Sequence, residues 1–330
     1  MFIKNSRIIF ILILIARTIM SISCRRWFTS WLALEVNLIV FIPILIIKIK
    51  FDSTSASIKY FLIQALASVV IISSFVLFFL NNYQRSISLA RELITRAIII
   101  KLGIPPFQFW LPQVIERTNI IQSFIILTWQ KVAPFNFLLY INSKIIIIYL
   151  VAAAAVGAIG GLNQNSIIKI LAYSSIAQAT WIISAINIRQ KLWKNYFIIY
   201  SSIISVIFII ITSIKIKKIS EMSEKNITIT IKIFFSIRLL TLGGLPPFAG
   251  FTGKIIVIQE IIKNWNIILI SIILISSFIT LLFYSRICYI TLLKRNPVAK
   301  KIKMNIKNIK IIMIIIITIN TIIPIIWMLT

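Results

Sequence analysis

Four charged side chains fall inside long apolar runs, where ionised groups are rare. Glu35 sits mid-run in FTSWLALEVNLIVFIPILI and Lys131 mid-run in FIILTWQKVAPFNFLLY. Lys101 lies two residues before Gly103, and Lys254 six residues after Phe248. Each such charge at a bilayer centre costs about 2.5–3.5 kcal/mol on insertion scales, so the four together cost roughly 10 kcal/mol before pairing. Snorkelling to the headgroups accounts for lysines near run ends, such as Lys48 and Lys144. It does not account for Lys131, which has apolar sequence on both sides, or for Glu35, whose stem is too short to reach water. The chemistry these residue types offer is proton transfer. Burial favours the neutral form of either group and an opposite charge nearby favours the ionised form. A Glu–Lys pair that opens therefore releases a proton, and one that closes captures it. Gln64, Ser68, Thr128, Gln130, Ser174, Ser175 and Gln178 also lie within apolar runs. They either bridge such a relay or satisfy hydrogen bonds between helices.

The elements that must hold these residues carry an internal repeat. Residues 103–107 read GIPPF and residues 244–248 read GLPPF. Pro105 with Pro106, and Pro246 with Pro247, each remove two backbone donors and break a helix, with Gly103 and Gly244 at the break. Broken backbone at membrane depth is stable only inside protein or beside a wet cavity. Two breaks at corresponding places in two halves point to an inverted-repeat transporter. The ordinary alternative is two interfacial turns that match by coincidence.

Composition agrees with a membrane setting. Of 330 residues, 60% are apolar, and the mean hydropathy is +1.02. That leaves too few polar residues to cover soluble domains. There is no histidine, which removes haem or zinc ligation by His and every His-based nucleophile. The two cysteines, Cys24 and Cys288, cannot hold a four-Cys iron–sulfur cluster. No nucleotide-binding glycine fingerprint is present. The expectation is an all-α polytopic membrane protein of about eleven transmembrane helices. They fall near 8–22, 28–47, 57–80, 86–104, 119–140, 145–161, 167–187, 195–214, 233–262, 266–290 and 308–328. No alternating ten-residue strand pattern argues for a membrane barrel.

The charge of +28 comes from 35 Lys+Arg against 7 Asp+Glu. Most of it lies in the gaps between runs, as headgroup anchors facing phospholipid, and it carries no suggestion of nucleic acid. Codon bias in an A/T-rich genome is a second source of lysine. The N-terminus reads as a retained first span, because Arg17 and Cys24-Arg25-Arg26 follow it where a cleavage site would stand. Gaps after even-numbered spans, such as those holding Lys215, Lys217 and Lys218, are more basic than those after odd ones, which places the N-terminus on the cytoplasmic or matrix side.

The same residues carry a family resemblance. KLGIPPFQFWLPQV (101–114), LTWQKVAP (127–134), KILAYSSIAQATW (169–181), GGLPPFAGFTGK (243–254) and WLALEVN (31–37) resemble, in order and spacing, the chain 2 family of mitochondrial NADH–ubiquinone oxidoreductase, in its animal, arthropod-like form. The resemblance runs from about residue 27 to 290. It implies an antiporter-like fold in one membrane domain, with a first inverted repeat over 8–140, a second over 145–290 and a C-terminal helix over 308–328. It implies a proton-translocating membrane-arm subunit of respiratory complex I in the mitochondrial inner membrane, with its N-terminus in the matrix. Its partners would be other membrane-arm and accessory subunits. Glu35, Lys101, Lys131 and Lys254 match the family's proton-relay positions, with Lys101 on the matrix-side half and Lys254 on the exit side. NADH, FMN, iron–sulfur clusters and ubiquinone would be handled by other subunits, and this chain would bind no cofactor or metal. Two departures stand out. The family commonly carries His where this chain has Gln108 and Gln178, and an acid where it has Gln113. Glutamine cannot take up and release a proton near neutrality, so a relay here must use water or tyrosine at those points. The competing readings are a cation/proton antiporter subunit of related fold and a membrane-arm scaffold that does not pump.

Overall fold

The computed structural model describes residues 2–24, 26–46, 51–80, 84–141, 143, 145–224, 228–263 and 267–293. The expected eleventh span, 308–328, lies outside them, as do Lys48, Lys50, Lys144 and Lys225. Every regular element among the described residues is a helix. In chain order these are α1 (Phe2–Ser23), α2 (Trp27–Leu45), α3 (Phe51–Leu80), α4 (Gln84–Leu102), α5 (Trp110–Arg117), α6 (Ile120–Leu127) and α7 (Trp129–Leu138). There follow α8 (Ile146–Leu162), α9 (Ile167–Ile188), α10 (Gln190–Ile214), α11 (Ile219–Glu224), α12 (Ile229–Gly243), α13 (Ala249–Lys263) and α14 (Ile267–Leu293). Five described helices are long and apolar enough to cross a membrane: Trp27–Leu45, Phe51–Phe79, Ile167–Ile188, Lys191–Ile214 and Ile267–Leu292. Two shorter apolar helices, Ile8–Ser23 and Ile146–Leu162, accompany them.

Two expected spans are divided, and a third stops at a break. The 86–104 run is α4, which closes at Leu102 before the chain re-enters a helix as α5, and the 233–262 run divides into α12 and α13. Both interruptions fall at the Gly-x-Pro-Pro-Phe segments. The 119–140 run divides into α6 and α7 at Thr128. Pro134, inside α7, explains this third interruption. Its ring has no N–H to give to the Gln130 carbonyl one turn back and crowds that carbonyl. The Lys131 amide accordingly bonds to Thr128 O at 3.2 Å, a tighter three-residue step. One further difference is small: α11 occupies part of the 215–232 gap.

The chain forms two compact units, Met1–Ala152 and Ala153–Thr330, with the division inside α8. In the first, α3 packs on α4 and α5, and α1 on α2. Phe41, Leu45, Ile98, Ile99 and Leu111 are fully buried there. In the second, α12 packs on α14 and α10, and α10 on α9, around Phe235, Phe283 and Tyr284. In hydrocarbon every backbone polar group must be satisfied within the protein. Side chains from other helices therefore close helix ends: Gln122 of α6 donates to Leu45 O at the end of α2 at 3.2 Å, and Asn136 of α7 to Ser21 O near the end of α1 at 3.0 Å.

Candidate functional site

The first break begins where Gly103 turns α4 aside with a φ of +69°. Its amide bonds to Ile100 O at 3.1 Å, and the Ile104 amide bonds to Ile99 O at 3.1 Å. These two bonds make the glycine-capped ending in which a left-handed residue lets the chain fold back onto the last turn. Phe107 N then bonds to Ile104 O at 3.0 Å across the prolines, and the chain re-enters a helix at Trp110. The break leaves the last carbonyls of α4 to be met from elsewhere. The Trp110 indole donates to Ile100 O at 3.1 Å, and Gln64 of α3 donates to Lys101 O at 3.1 Å. Lys101 thus rides on the final turn of a helix whose end is held by three elements. Its Nζ lies 3.2 Å from Glu35 Oε1 on α2. The lysine side chain is 3% exposed and the glutamate 21%, so the pair has a dry side and a side open to the surface of this chain.

Lys131, on the first turn of α7, is 4% exposed. It lines a cavity of about 20 Å³, room for one water, together with Lys101, Asn37, Tyr60, Gln64 and Gln130. The Asn37 amide donates to Gln130 Oε1 at 3.0 Å across this space. Asn37 Oδ1 and Gln130 Nε2 remain buried without a protein partner among the described residues. That leaves an acceptor and a donor available to a water between the two lysines.

The second break repeats the glycine-capped helix ending of the first. Gly244 has a φ of +81°, its amide bonds to Leu240 O and Thr241 O at 3.1 Å, and Phe248 N bonds to Leu245 O at 3.0 Å across the second proline pair. Here the freed carbonyls are met differently. Gln178 of α9 donates to Leu242 O at 3.0 Å. Lys254 of α13 reaches back to donate to Gly243 O at 2.7 Å. Its Nζ also sits 5.4 Å from the centre of the Trp181 ring, within cation–π range. A Cβ on Gly244 would stand 2.8 Å from Lys254 Nζ, so glycine is required there both for its backbone angle and for the approach of the lysine.

With that geometry in place, comparison with known proteins decides the family. The family model described as NADH:quinone oxidoreductase/Mrp antiporter, TM matches residues 24–280. NADH-ubiquinone oxidoreductase chain 2 of Lemur catta is 37% identical over 297 residues, 87% of this chain and 86% of the relative. The chain 2 of Anopheles gambiae is 37% identical over 294 residues, again 87% of this chain and 86% of the relative. This chain belongs to the NADH-ubiquinone oxidoreductase chain 2 family. Its fold is also similar to a chain of respiratory complex I from Thermus thermophilus with bound aureothin, with a TM-score of 0.84 at 20% identity over 97% of this chain and 78% of the other. The matched stretch takes in Glu35, Lys101, Lys131, Lys254 and both breaks.

Other residues of this chain 2 family member are structural in their contacts. Ser174 and Ser175 each donate to the carbonyl three residues back in α9, at 2.9 and 2.7 Å, the usual way a hydroxyl is satisfied within an apolar helix. Gln178, where the family resemblance leads one to expect His, spends its amide on the α12 end and accepts from the Tyr196 hydroxyl. Gln113 accepts from Lys59 at 3.0 Å. Gln108, in the first break, is buried, and its Oε1 has no partner among the described residues. One residue escapes the sequence argument. Arg238 of α12 is 5% exposed, and its guanidinium carbon lies 5.0 Å from the Phe234 ring. A fourth buried cation within an expected span was the signal that could have found it. Among the described residues no group of His, Cys, Asp and Glu could hold a metal ion.

Proposed function

We propose that this chain is the antiporter-like membrane-arm subunit of an NADH:ubiquinone oxidoreductase in the mitochondrial inner membrane, and that it moves protons through Glu35, Lys101, Lys131 and Lys254. The observation that carries this reading is the small cavity shared by Lys101 and Lys131, at the end of a broken helix whose lysine is paired with Glu35. A charged pair and a second lysine around room for one water is more than packing requires, and each charge costs stability in a membrane. The opposite charge of Glu35 favours the ammonium form of Lys101 while the two are together. When they part with Glu35 still a carboxylate, an N–H bond of the Lys101 ammonium breaks and its proton passes through the intervening water to a neutral Lys131 amine, leaving Lys101 as the amine. Lys254 supplies the matching carrier in the second unit, held by a carbonyl that the second break exposes.

The finer architecture belongs to the same proposal. The two units are five-span repeats of opposite orientation, 8–140 and 145–290, among about eleven transmembrane helices, with the N-terminus in the matrix. The Lys101 break serves the matrix side and the Lys254 break the exit side. The proposal assigns oxidation of NADH and reduction of ubiquinone, with their flavin and iron–sulfur centres, to other subunits, and gives this chain no resident cofactor. The identity of the relatives favours this reading over a free-standing antiporter. The test is Lys131→Ala in the assembled complex. Proton translocation per NADH should fall while NADH oxidation by an artificial acceptor persists. Unchanged translocation at normal assembly would remove the basis of the proposal.

A further inference from the structure

The second unit holds three buried tyrosines, Tyr196, Tyr200 and Tyr284, as well as the lysine at its break. Among the described residues no carboxylate pairs with Lys254, so a proton leaving its Nζ needs another atom to receive it. The Tyr196 hydroxyl donates to Gln178 Oε1. Gln178 in turn holds Leu242 O, the carbonyl next to the Gly243 O that holds Lys254. Lys254 and Tyr196 are therefore attached to neighbouring carbonyls of one broken helix. The Trp181 ring lies beside both, 5.4 Å from Lys254 Nζ and stacked at 6.5 Å with the Tyr196 ring. Tyr200 follows four residues along the same face of α10, and Tyr196 interacts electrostatically with both Tyr200 and Tyr284. The Tyr200 hydroxyl faces Ser175, and that of Tyr284 faces Ser174. Both tyrosine oxygens are sealed inside the protein, with the serine hydroxyls of α9 as the polar groups that face them. A ring buried only for packing is better served by phenylalanine, because a buried hydroxyl short of partners costs stability. Hydroxyls that converge from α9, α10 and α14 are satisfied together when water lies between them.

We propose that Tyr196, Tyr200 and Tyr284 are the onward path for the proton carried by Lys254. The inference rests on the proton-relay reading above and deepens it. In the transfer an N–H bond of the Lys254 ammonium breaks and an O–H bond forms on the neighbouring hydroxyl or its bridging water. That oxygen gives its own proton to the next, through Tyr200 and then Tyr284. Each phenol is neutral before and after, Lys254 is left as the amine, and one proton enters the line for each that leaves it. Tyrosine thereby takes the place that a titrating side chain at position 178 would otherwise fill.

The test uses the assembled complex in sealed inner-membrane vesicles. Proton uptake is followed with a pH-sensitive dye, and NADH oxidation by an artificial acceptor normalises for assembly. Tyr200→Phe with Tyr284→Phe, which removes two oxygens and keeps both rings, should slow proton translocation roughly a hundredfold, the lower end of what a lost proton-transfer group costs. Adding Gln178→His should restore part of that rate, because imidazole carries a proton that an amide cannot; a purely structural role for the tyrosines predicts no such rescue. If the double variant does not assemble, Tyr200→Phe alone is read against the same expectation. Parent-rate translocation in the phenylalanine variants, with Lys254→Ala inactive, overturns the tyrosine path and leaves the relay standing. Parent-rate translocation in Lys254→Ala as well overturns both.

Discussion

A side chain that relays protons through hydrocarbon must be stable both with and without its charge, and this separates lysine from arginine at position 131. Lys131 is 4% exposed beside a space for a single water. An arginine there stays protonated, so Lys131→Arg should stop translocation as fully as loss of the amine does, although it keeps the charge. Translocation by the Arg variant at the parent rate, measured as protons moved per NADH, would show that only the charge matters. Glu35→Gln tests the pair. It keeps the shape and a hydrogen-bonding oxygen but leaves Lys101 without its counter-charge. Removing one partner of a fully buried pair costs about 3–5 kcal/mol, and the loss here is smaller because the Glu35 side chain is 21% exposed. The expected result is a partial loss of translocation, milder than that of Lys131→Ala, in a complex that still assembles. A loss as complete as that of Lys131→Ala would mean that Lys101 cannot take part in the relay without its counter-charge. The Glu35–Lys101 contact was legible in the sequence because the cost of an unpaired membrane carboxylate leaves few alternatives. The partner of Lys254 was not legible, because it is a backbone carbonyl that becomes available only once the helix is broken. Arg238 was passed over because its Ile- and Phe-rich surroundings read as ordinary span.

At the scale of the element, the unit that recurs is a helix ending. α4 and α12 both close on a glycine of positive φ, +69° and +81°, and both cross a Pro-Pro turn through the same Phe-to-(i−3) bond. The paired pentapeptides made these breaks legible. What the letters did not show is that the freed carbonyls recruit different donors, Gln64 and Trp110 in one case and Gln178 and Lys254 in the other. The division of α6 from α7 at Thr128 was also missed, since its cause, Pro134, acts one turn away through the Gln130 carbonyl. The glycines give a direct test. Gly103→Ala puts a side chain into the left-handed region, at a cost of about 1–2 kcal/mol, with its Cβ 3.1 Å from Leu111 Cβ. Gly244→Ala carries the same backbone cost and in addition meets Lys254 Nζ at 2.8 Å. Gly244→Ala should therefore reduce translocation per assembled complex by displacing the lysine. Gly103→Ala should chiefly lower the thermal stability of the complex. Thermal denaturation and dye-based proton uptake separate the two, and equal effects on both readouts would argue against a special role for Gly244 in placing Lys254.

At the scale of the whole molecule, orientation follows from charge and parity. Lys4, Arg7 and the lysines at 215, 217 and 218 belong to one side of the membrane in the span count, and the thinner set that includes Arg26, Arg189 and Lys263 to the other. A basic excess marks the side from which the chain is not translocated, and the proposed matrix-side N-terminus rests on that bias. In the proposed five-span repeats the second would start from the opposite face, and equivalent breaks would open to opposite sides. Each opening has a chemical purpose. A lysine beside unwound backbone is solvated from its own side alone, and a carrier reachable from both sides at once would leak protons. The experiment begins from a chain in which Cys24 and Cys288 are replaced by serine, with one cysteine introduced at position 108 or at position 249, beside the first or the second break. A membrane-impermeant maleimide added to mitoplasts should label position 249 and spare position 108, and inverted vesicles should show the reverse. A protease added to mitoplasts should leave an N-terminal tag intact. Labelling of both positions from one face would end the inverted arrangement even if the tag is protected. Cleavage of the tag with labelling from opposite faces would keep the inversion and exchange the roles of the two breaks, making Lys254 the matrix-side lysine.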